Sequence, residues 1–266
     1  MLAGGQSLVP LLNMRLTRPE VIVDLNHLDG LAGIAETPVG VIRIGAMTRQ
    51  RALEIDPLIP SRLPILSEAA GQIAHLAIRN RGTVGGSLAH ADPAAELPAV
   101  MLLLEAVLVI AARGGSQRRV TAADFFRGPF TTALQTGEIL VAIEIQPPST
   151  GTGSAFVEVS RVHGAFALVG SAALVAAFED GRVRAARVTL AGIGGVPLEV
   201  PWMSELTRGR LVDQALMTEI DRQVAGWVEP WPDIHASSQS RRRLAGTLAS
   251  RALALAAGRA GNGGEG

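Results

Sequence analysis

Over the first 110 residues, short β-branched runs alternate with longer segments whose apolar positions recur at helical spacing. Val21–Leu25 and Val41–Gly45 read as strands, whereas Arg49–Ile55 and Leu63–Arg79 read as helices. In the second of these helices Leu66, Ala69, Ala70, Ile73, Leu76 and Ala77 share one face, the pattern of a helix laid on a sheet. Pro93 suits a first helical turn, so Ala94–Leu104 reads as a helix leading into a strand at Val107–Ala112. This half reads as α/β. The pattern then turns to β, with strands expected at Val141–Ile145, Ala155–Ser160, Leu168–Phe178 and Val183–Leu190, separated by turns that carry Gly or Pro. Gln146–Gly153 holds two prolines, three hydroxyl residues and two glycines, so it continues neither kind of element and marks a domain boundary. The expected organisation is one domain over 1–148, a second over 149–260 and a disordered tail at 261–266. Within the second domain, Val212–Val228 and Ser240–Ala257 read as amphipathic helices after Gly192–Pro197, joined by the loop Trp227–Asp233.

Composition narrows the chemistry. With 266 residues, 48% of them hydrophobic and 18% charged, the chain has core enough to exclude disorder. All 24 cationic side chains are arginine, balanced by 24 acids. Without lysine there is no P-loop NTPase, no pyridoxal-phosphate Schiff base and no lysine nucleophile, and zero net charge argues against a nucleic-acid partner. Without cysteine there is no disulfide, no thiolate nucleophile and no iron–sulfur cluster held by this chain, so redox chemistry here requires a bound organic cofactor. The histidines, His27, His75, His90, His163 and His235, show no metal-ligand pairing, and no metal site is expected. The longest apolar stretches, Pro98–Ala112 and Ala165–Phe178, fall short of the ~20 residues that span a bilayer. No signal peptide is legible at the N-terminus, and the expected location is cytoplasmic.

Two segments change this picture: Ala3-Gly-Gly-Gln-Ser7 and Thr83-Val-Gly-Gly-Ser87. Paired glycines beside a small hydroxyl residue admit positive φ and lack a Cβ, which lets backbone N–H groups converge on an anion; they read equally as two tight turns. Two such loops together suit the two halves of a pyrophosphate. Neither is a Rossmann fingerprint, and Gly192-Ile-Gly-Gly-Val-Pro197 has proline where the third glycine of G-x-G-x-x-G belongs. There is no G-x-S-x-G elbow either.

The run Ile78-Arg-Asn-Arg-Gly-Thr-Val-Gly-Gly-Ser-Leu-Ala-His-Ala-Asp-Pro-Ala-Ala-Glu-Leu-Pro98, taken with Leu2–Leu16, resembles the FAD-binding medium subunit of the molybdenum hydroxylases, of the carbon monoxide dehydrogenase type. The flavin domain of xanthine dehydrogenase is more distantly similar. The likeness covers almost the whole chain: Gly137–Val141, Ser154–Phe156 and Arg161–Leu168 are similar to later flavin-domain strands, and Asp233–Ser237 and Arg241–Gly246 to the C-terminal domain. It implies an α+β fold, a two-subdomain FAD-binding domain of PCMH type followed by a C-terminal domain of β-sheet plus helices. It implies non-covalent FAD, with the diphosphate held by Ala3, Gly4, Gly5, Gln6 and Ser7 and by Thr83, Gly85 and Gly86, with Ser87 beside them. The acidic ribityl contact falls on Glu96, with Asp92 as a neighbouring candidate, and Leu140 would be an apolar contact. The bland alternatives are that Glu96 is an exposed acid in a first helical turn and Asp92 an N-cap. No catalytic residue is implied.

The family role is electron transfer: a large partner subunit carries the molybdenum cofactor, a small partner carries iron–sulfur clusters, and FAD on this chain passes electrons to an external acceptor. Two departures stand out. The chain starts at the first glycine loop, where the family carries a strand–helix–strand unit of about 30 residues ahead of it, so a weakened first nest is expected. Gly164-Ala-Phe166 stands where the family has Gly-Asp-aromatic. The rival reading is a cofactor-free scaffold subunit of the same kind of complex.

Overall fold

The computed structural model describes residues 1–162 and 164–260; the tail expected at 261–266 lies outside the described residues. In chain order, α1 (Leu8–Asn13) follows the first glycine loop, and β1 (Ile34–Glu36) and β2 (Ile42–Gly45) form a hairpin. Four short helices come next: α2 (Ala52–Ile55), α3 (Leu58–Arg62), α4 (Pro64–Gln72) and α5 (Leu76–Arg79). Helix α6 (Val84–His90) starts inside the second glycine loop, and α7 (Glu96–Leu103) is buried along its whole length. Strands β3 (Val107–Ala111) and β4 (Gln117–Thr121) lead through α8 (Ala122–Phe125) and the small hairpin β5 (Phe126–Gly128) and β6 (Thr131–Thr132) to β7 (Ile139–Ile145). β7 inserts between β2 and β3, giving the order β1-β2-β7-β3-β4 with every pairing antiparallel. This half is therefore α+β and not α/β: its helices bridge strands of alternating polarity.

The second half is a meander of β8 (Thr152–Ser160), β9 (Ala167–Ala177), β10 (Val183–Ala191) and β11 (Leu198–Glu199), followed by α9 (Met203–Thr207), α10 (Gln214–Trp227) and α11 (Ser238–Arg259). Strand side chains alternate between faces, and that alternation divides this sheet between two cores. Phe156 and Ala172 pack into the first core with Leu97 and Val100 of α7, while Ala155 and Ala173 pack into the second with Leu216, Ala249 and Leu253. Polar bonds stitch the halves: Thr189 Oγ1 donates to Ala99 O at 2.8 Å, Gly192 N–H to Pro93 O at 2.9 Å, and Glu68 accepts from Phe156 N–H at 2.9 Å while pairing with Arg259 at 2.6 Å.

Four sequence expectations are corrected. Val21–Leu25 is not a strand: only Asp24 bridges, in parallel, to Leu2, and Val21, Ile22 and Val23 stay exposed. Arg49–Ile55 is helical only from Ala52. The helix expected over Leu63–Arg79 breaks after Gln72, where Ala74 takes φ +42°. There the guanidinium of buried Arg79 donates to the Ile73 and Ala74 carbonyls, at 2.8 and 3.2 Å, while the Glu54 carboxylate accepts from its other edge at 2.7 and 3.2 Å. Leu76 is left 49% exposed, off the apolar face expected of it. Pro93 does not open a helix: Asp92 Oδ1 accepts from Ala94 N–H at 2.9 Å and Asp92 O from Ala95 N–H at 3.1 Å, a turn that delays α7 to Glu96.

Candidate functional site

One cleft of about 440 Å³ is lined by Ala3, Gly4, Gly5, Gln6, Ser7, Thr83, Gly85, Gly86, Ser87, Asp92, Glu96 and Leu140, every residue singled out as a site candidate from the sequence. The two glycine loops meet at its wall. A Cβ on Gly4 would overlap the backbone of Arg81 and come within 2.7 Å of Gly82 Cα, so the first loop lies directly on the chain entering the second. Gly5 takes φ +75°, the conformation for which glycine is suited. Asn26 Nδ2 donates to Ala3 O at 2.8 Å and Gln6 Nε2 to Gly4 O at 2.9 Å, which fixes the loop through its carbonyls. Its N–H groups are left over: among the described residues those of Gly4, Gly5, Gln6 and Ser7 have no acceptor within the chain.

The second loop differs from the expected nest. Val84 N–H donates to Thr48 O at 2.9 Å, Gly85 N–H to Ala46 O at 2.8 Å, and Gly86 N–H to the N-capping hydroxyl of Thr83 at 3.1 Å. Neither Gly85 nor Gly86 has positive φ, and a Cβ on Gly85 would stand 2.7 Å from Ala46 O. These glycines are small so that α6 can lie against the strand end at Ala46. What this loop offers a ligand is its wall and the hydroxyls of Thr83 and Ser87, not converging amides.

Glu96 is not the exposed acid of the bland alternative. It is 4% exposed at the start of α7, and burial, with Asp92 adding its charge, raises its carboxyl to about 7 against the pull of its own N–H. Asp92 lines the cleft but caps the turn before α7, not the helix itself. Leu140, on β7, is buried at the cleft floor. Glu138 is held by Arg118 through contacts of 2.8 and 2.7 Å; with a further bond from Gln135 N–H, this grip draws its carboxyl down to about 2. Sequence reasoning passed over Glu138, Gln50, Ile73, Ala74 and the turn Gly164–Phe166 as site residues, all of which line the cleft. The turn carried a signal in the glycine–aromatic pattern at 164–166. Gln50 carried none: its Oε1 is buried against Gly82 without a partner among the described residues.

The lining fits a long, polar, anionic ligand such as a flavin dinucleotide. It provides unpartnered amides for a diphosphate, buried acceptors at Glu96 and Gln50, and apolar walls from Met47, Ile73 and Leu140. Residues 1–148 match the family model described as FAD binding domain in molybdopterin dehydrogenase, and residues 154–256 match that of the CO dehydrogenase flavoprotein C-terminal domain. The chain belongs to this family. It is an FAD-binding oxidoreductase subunit of the molybdenum hydroxylase type. It is 39% identical to the 6-hydroxypseudooxynicotine dehydrogenase complex subunit alpha of Paenarthrobacter nicotinovorans, over 97% of this chain and 87% of that one. To the carbon monoxide dehydrogenase medium chain of Afipia carboxidovorans it is 34% identical, over 98% and 90%. Among solved structures, carbon monoxide dehydrogenase from Hydrogenophaga pseudoflava superposes with a TM-score of 0.92 at 33% identity, covering 97% of this chain and 89% of that one. Quinoline 2-oxidoreductase from Pseudomonas putida 86 does so with 0.92 at 37%, covering 97% and 88%. Among the described residues no helix is long and apolar enough to cross a membrane.

Proposed function

We propose that the chain holds one non-covalent FAD in this cleft and serves as the electron-transfer subunit of a molybdenum hydroxylase. Bound FAD would supply the redox chemistry, linking iron–sulfur clusters on a small partner subunit, and through them a molybdenum centre on a large one, to an external acceptor. The chain's own residues bind and orient. The amides of Gly4, Gly5, Gln6 and Ser7 receive the diphosphate, with the hydroxyls of Thr83 and Ser87 opposite; Glu96 meets the ribityl hydroxyls, with Asp92 beside it; Leu140 and Ala3 pack on apolar edges of the cofactor. With no lysine or arginine in the lining, the diphosphate depends on N–H donors, and a charged ligand there is stabilised by fixed dipoles.

The observation that carries this reading is the run of four unpartnered amides at the wall of a cleft that also gathers the remaining candidate residues. The cofactor-free scaffold reading has no such observation in its favour, because an empty wall has no use for unbonded donors. The absorption spectrum of the purified full chain tests it. Flavin bands near one FAD per chain, as isolated or after incubation with FAD and desalting, are expected; a colourless protein after both steps would overturn the proposal.

A further inference from the structure

Behind Glu96 lies a second acid that the cleft does not touch. Glu158 follows Phe156 by two residues on β8 and so shares the face that packs on the first core. Across the sheet it pairs with Gly170, and Gly170 pairs with Ala191. The following residue, Gly192, donates to Pro93 O and fastens the turn before α7 over this row. The middle position of the row is a glycine, and the Phe156 ring lies over it, 3.3 Å from where a Cβ would stand, so the row gives Glu158 an apolar neighbour and no polar partner among the described residues.

Among the described residues neither acid has a counter-ion. Glu158 Oε2 is sealed from water with no hydrogen-bond partner among the described residues, and the Glu96 carboxyl is bonded only to its own N–H. The other charged groups nearby are occupied or of the wrong sign. Asp92 faces Glu96 from the preceding turn, and Glu68 on α4 is paired with Arg259 of α11. Arg161, beyond the end of β8, turns to His235; among the described lining residues the one basic side chain is His90, stacked on Phe130 at 5.1 Å, and Met1 brings its α-amino group to the same cleft. Burial, reinforced by the charge of Glu96, pushes Glu158 up to about 8, above Glu96 at about 7. Two such acids titrate as a pair, and a diphosphate brought into the same cleft raises the cost of ionising either.

We propose that Glu96 and Glu158 form a proton-holding pair, so that FAD binding takes up a proton and Glu158, without touching the cofactor, sets the pH range over which it is held. The proposal rests on the FAD reading above. A carboxyl kept neutral can both donate to and accept from ribityl hydroxyls, which suits a cleft whose lining holds no lysine or arginine. The sign follows from the two protonation states. The protonated pair is preferred in the complex, so affinity is full below the free-state value of about 7 and is lost as the pH rises through 7 and 8.

The test is titration of the apo full chain with FAD, followed by flavin fluorescence from pH 6 to 9 at constant ionic strength, with calorimetry in two buffers of different ionisation enthalpy to count protons. In the native chain Kd should rise about tenfold or more between pH 7 and 8.5, with proton uptake on binding. In E158Q, and separately in E96Q, the rise should be about half as steep on a logarithmic scale; in the double variant it should vanish, and in H90N it should persist. A native Kd flat across this range, a slope that survives in the double variant, or one that disappears in H90N would overturn the proposal while leaving the cofactor reading intact. Absence of FAD binding at every pH would overturn the cofactor reading, and this proposal with it.

Discussion

Gly4 and Gly85 are both small for steric reasons, but the obstacles differ and so do the expected consequences of adding a methyl group. At Gly4 the added Cβ meets the backbone of Arg81 and Gly82, which parts the two loops at the cleft wall. Helix α1 beyond that loop buries no residue, so little of the core depends on it. Gly4→Ala should weaken FAD at least about tenfold, or ~1.4 kcal/mol, and leave the melting temperature nearly unchanged; a titration giving the native Kd would contradict this. At Gly85 the Cβ runs into Ala46 in the interior, 2.7 Å from its carbonyl oxygen. Gly85→Ala should therefore cost about 1–3 kcal/mol of stability, read by denaturant unfolding, with affinity falling only as a consequence. For Glu96, replacement by Ala leaves ribityl hydroxyls without their partner and should weaken FAD by ~1–3 kcal/mol at pH 7. Replacement by Gln keeps both an acceptor and a donor in place and should cost less. Equal dissociation constants for the native, Gln and Ala proteins would remove Glu96 from the site.

At the scale of elements, strand positions were legible where apolar or β-branched runs bounded by Gly or Pro turns sit in a sheet with partners on both edges, as in β2, β7, β9 and β10. They failed at Val21–Leu25, whose β-branched residues meet only Leu2. The break at Ala74 was illegible for another reason: it is imposed by the Arg79 guanidinium collecting two carbonyls, a tertiary bond that leaves no local mark in a helical apolar pattern. The residues of the two glycine loops were singled out by their local composition, whereas Asp92, Glu96 and Leu140 were singled out only through the family resemblance; all of them line the cleft. Gln50 and Glu158 lack any local signature, since their placement comes from chain segments distant in sequence. Ala74→Gly relieves a left-handed alanine and should stabilise the fold by about 1 kcal/mol or less, near 2 °C in melting temperature. Arg241 anchors α11: buried, it donates to Leu168 O, to Gly192 O at 3.0 Å and to the Asp233 carboxylate at 2.6 Å. Arg241→Met should cost about 3 kcal/mol, because two carbonyls and a carboxylate lose their donor together. Although partial desolvation pulls the other way, bonds from Ala236 N–H, Arg241 and His235 N–H hold Asp233 down to about 2. A depressed acid stabilises the fold above its ordinary 3.8 and loses that contribution as pH falls toward 2, so acid unfolding of the Met variant should show a weaker dependence on pH between about 4 and 2.

For the molecule as a whole, the shared β8–β10 sheet joins two cores through opposite faces of the same strands, with Phe156 in one and Ala155 in the other. Neither core keeps its packing if that sheet opens, so calorimetric unfolding should be a single transition, and two resolved transitions would show that the halves unfold separately. The same wholeness stops at the redox chemistry. The chain has no cysteine, and among the described residues no group of three His, Asp or Glu side chains gathers to hold a metal ion. Iron–sulfur clusters are held chiefly by thiolates, so on the proposed reading the electrons that reach FAD come from another subunit. The isolated chain, loaded with FAD, should therefore stay oxidised when mixed with any substrate of the native complex. Its flavin should bleach only when a cluster-bearing and a molybdenum-bearing chain are present, and affinity purification from the native host should recover all three together. A free chain from that host that reduced its own flavin with substrate would mean that electrons enter it directly, and the division of labour among three subunits would be wrong.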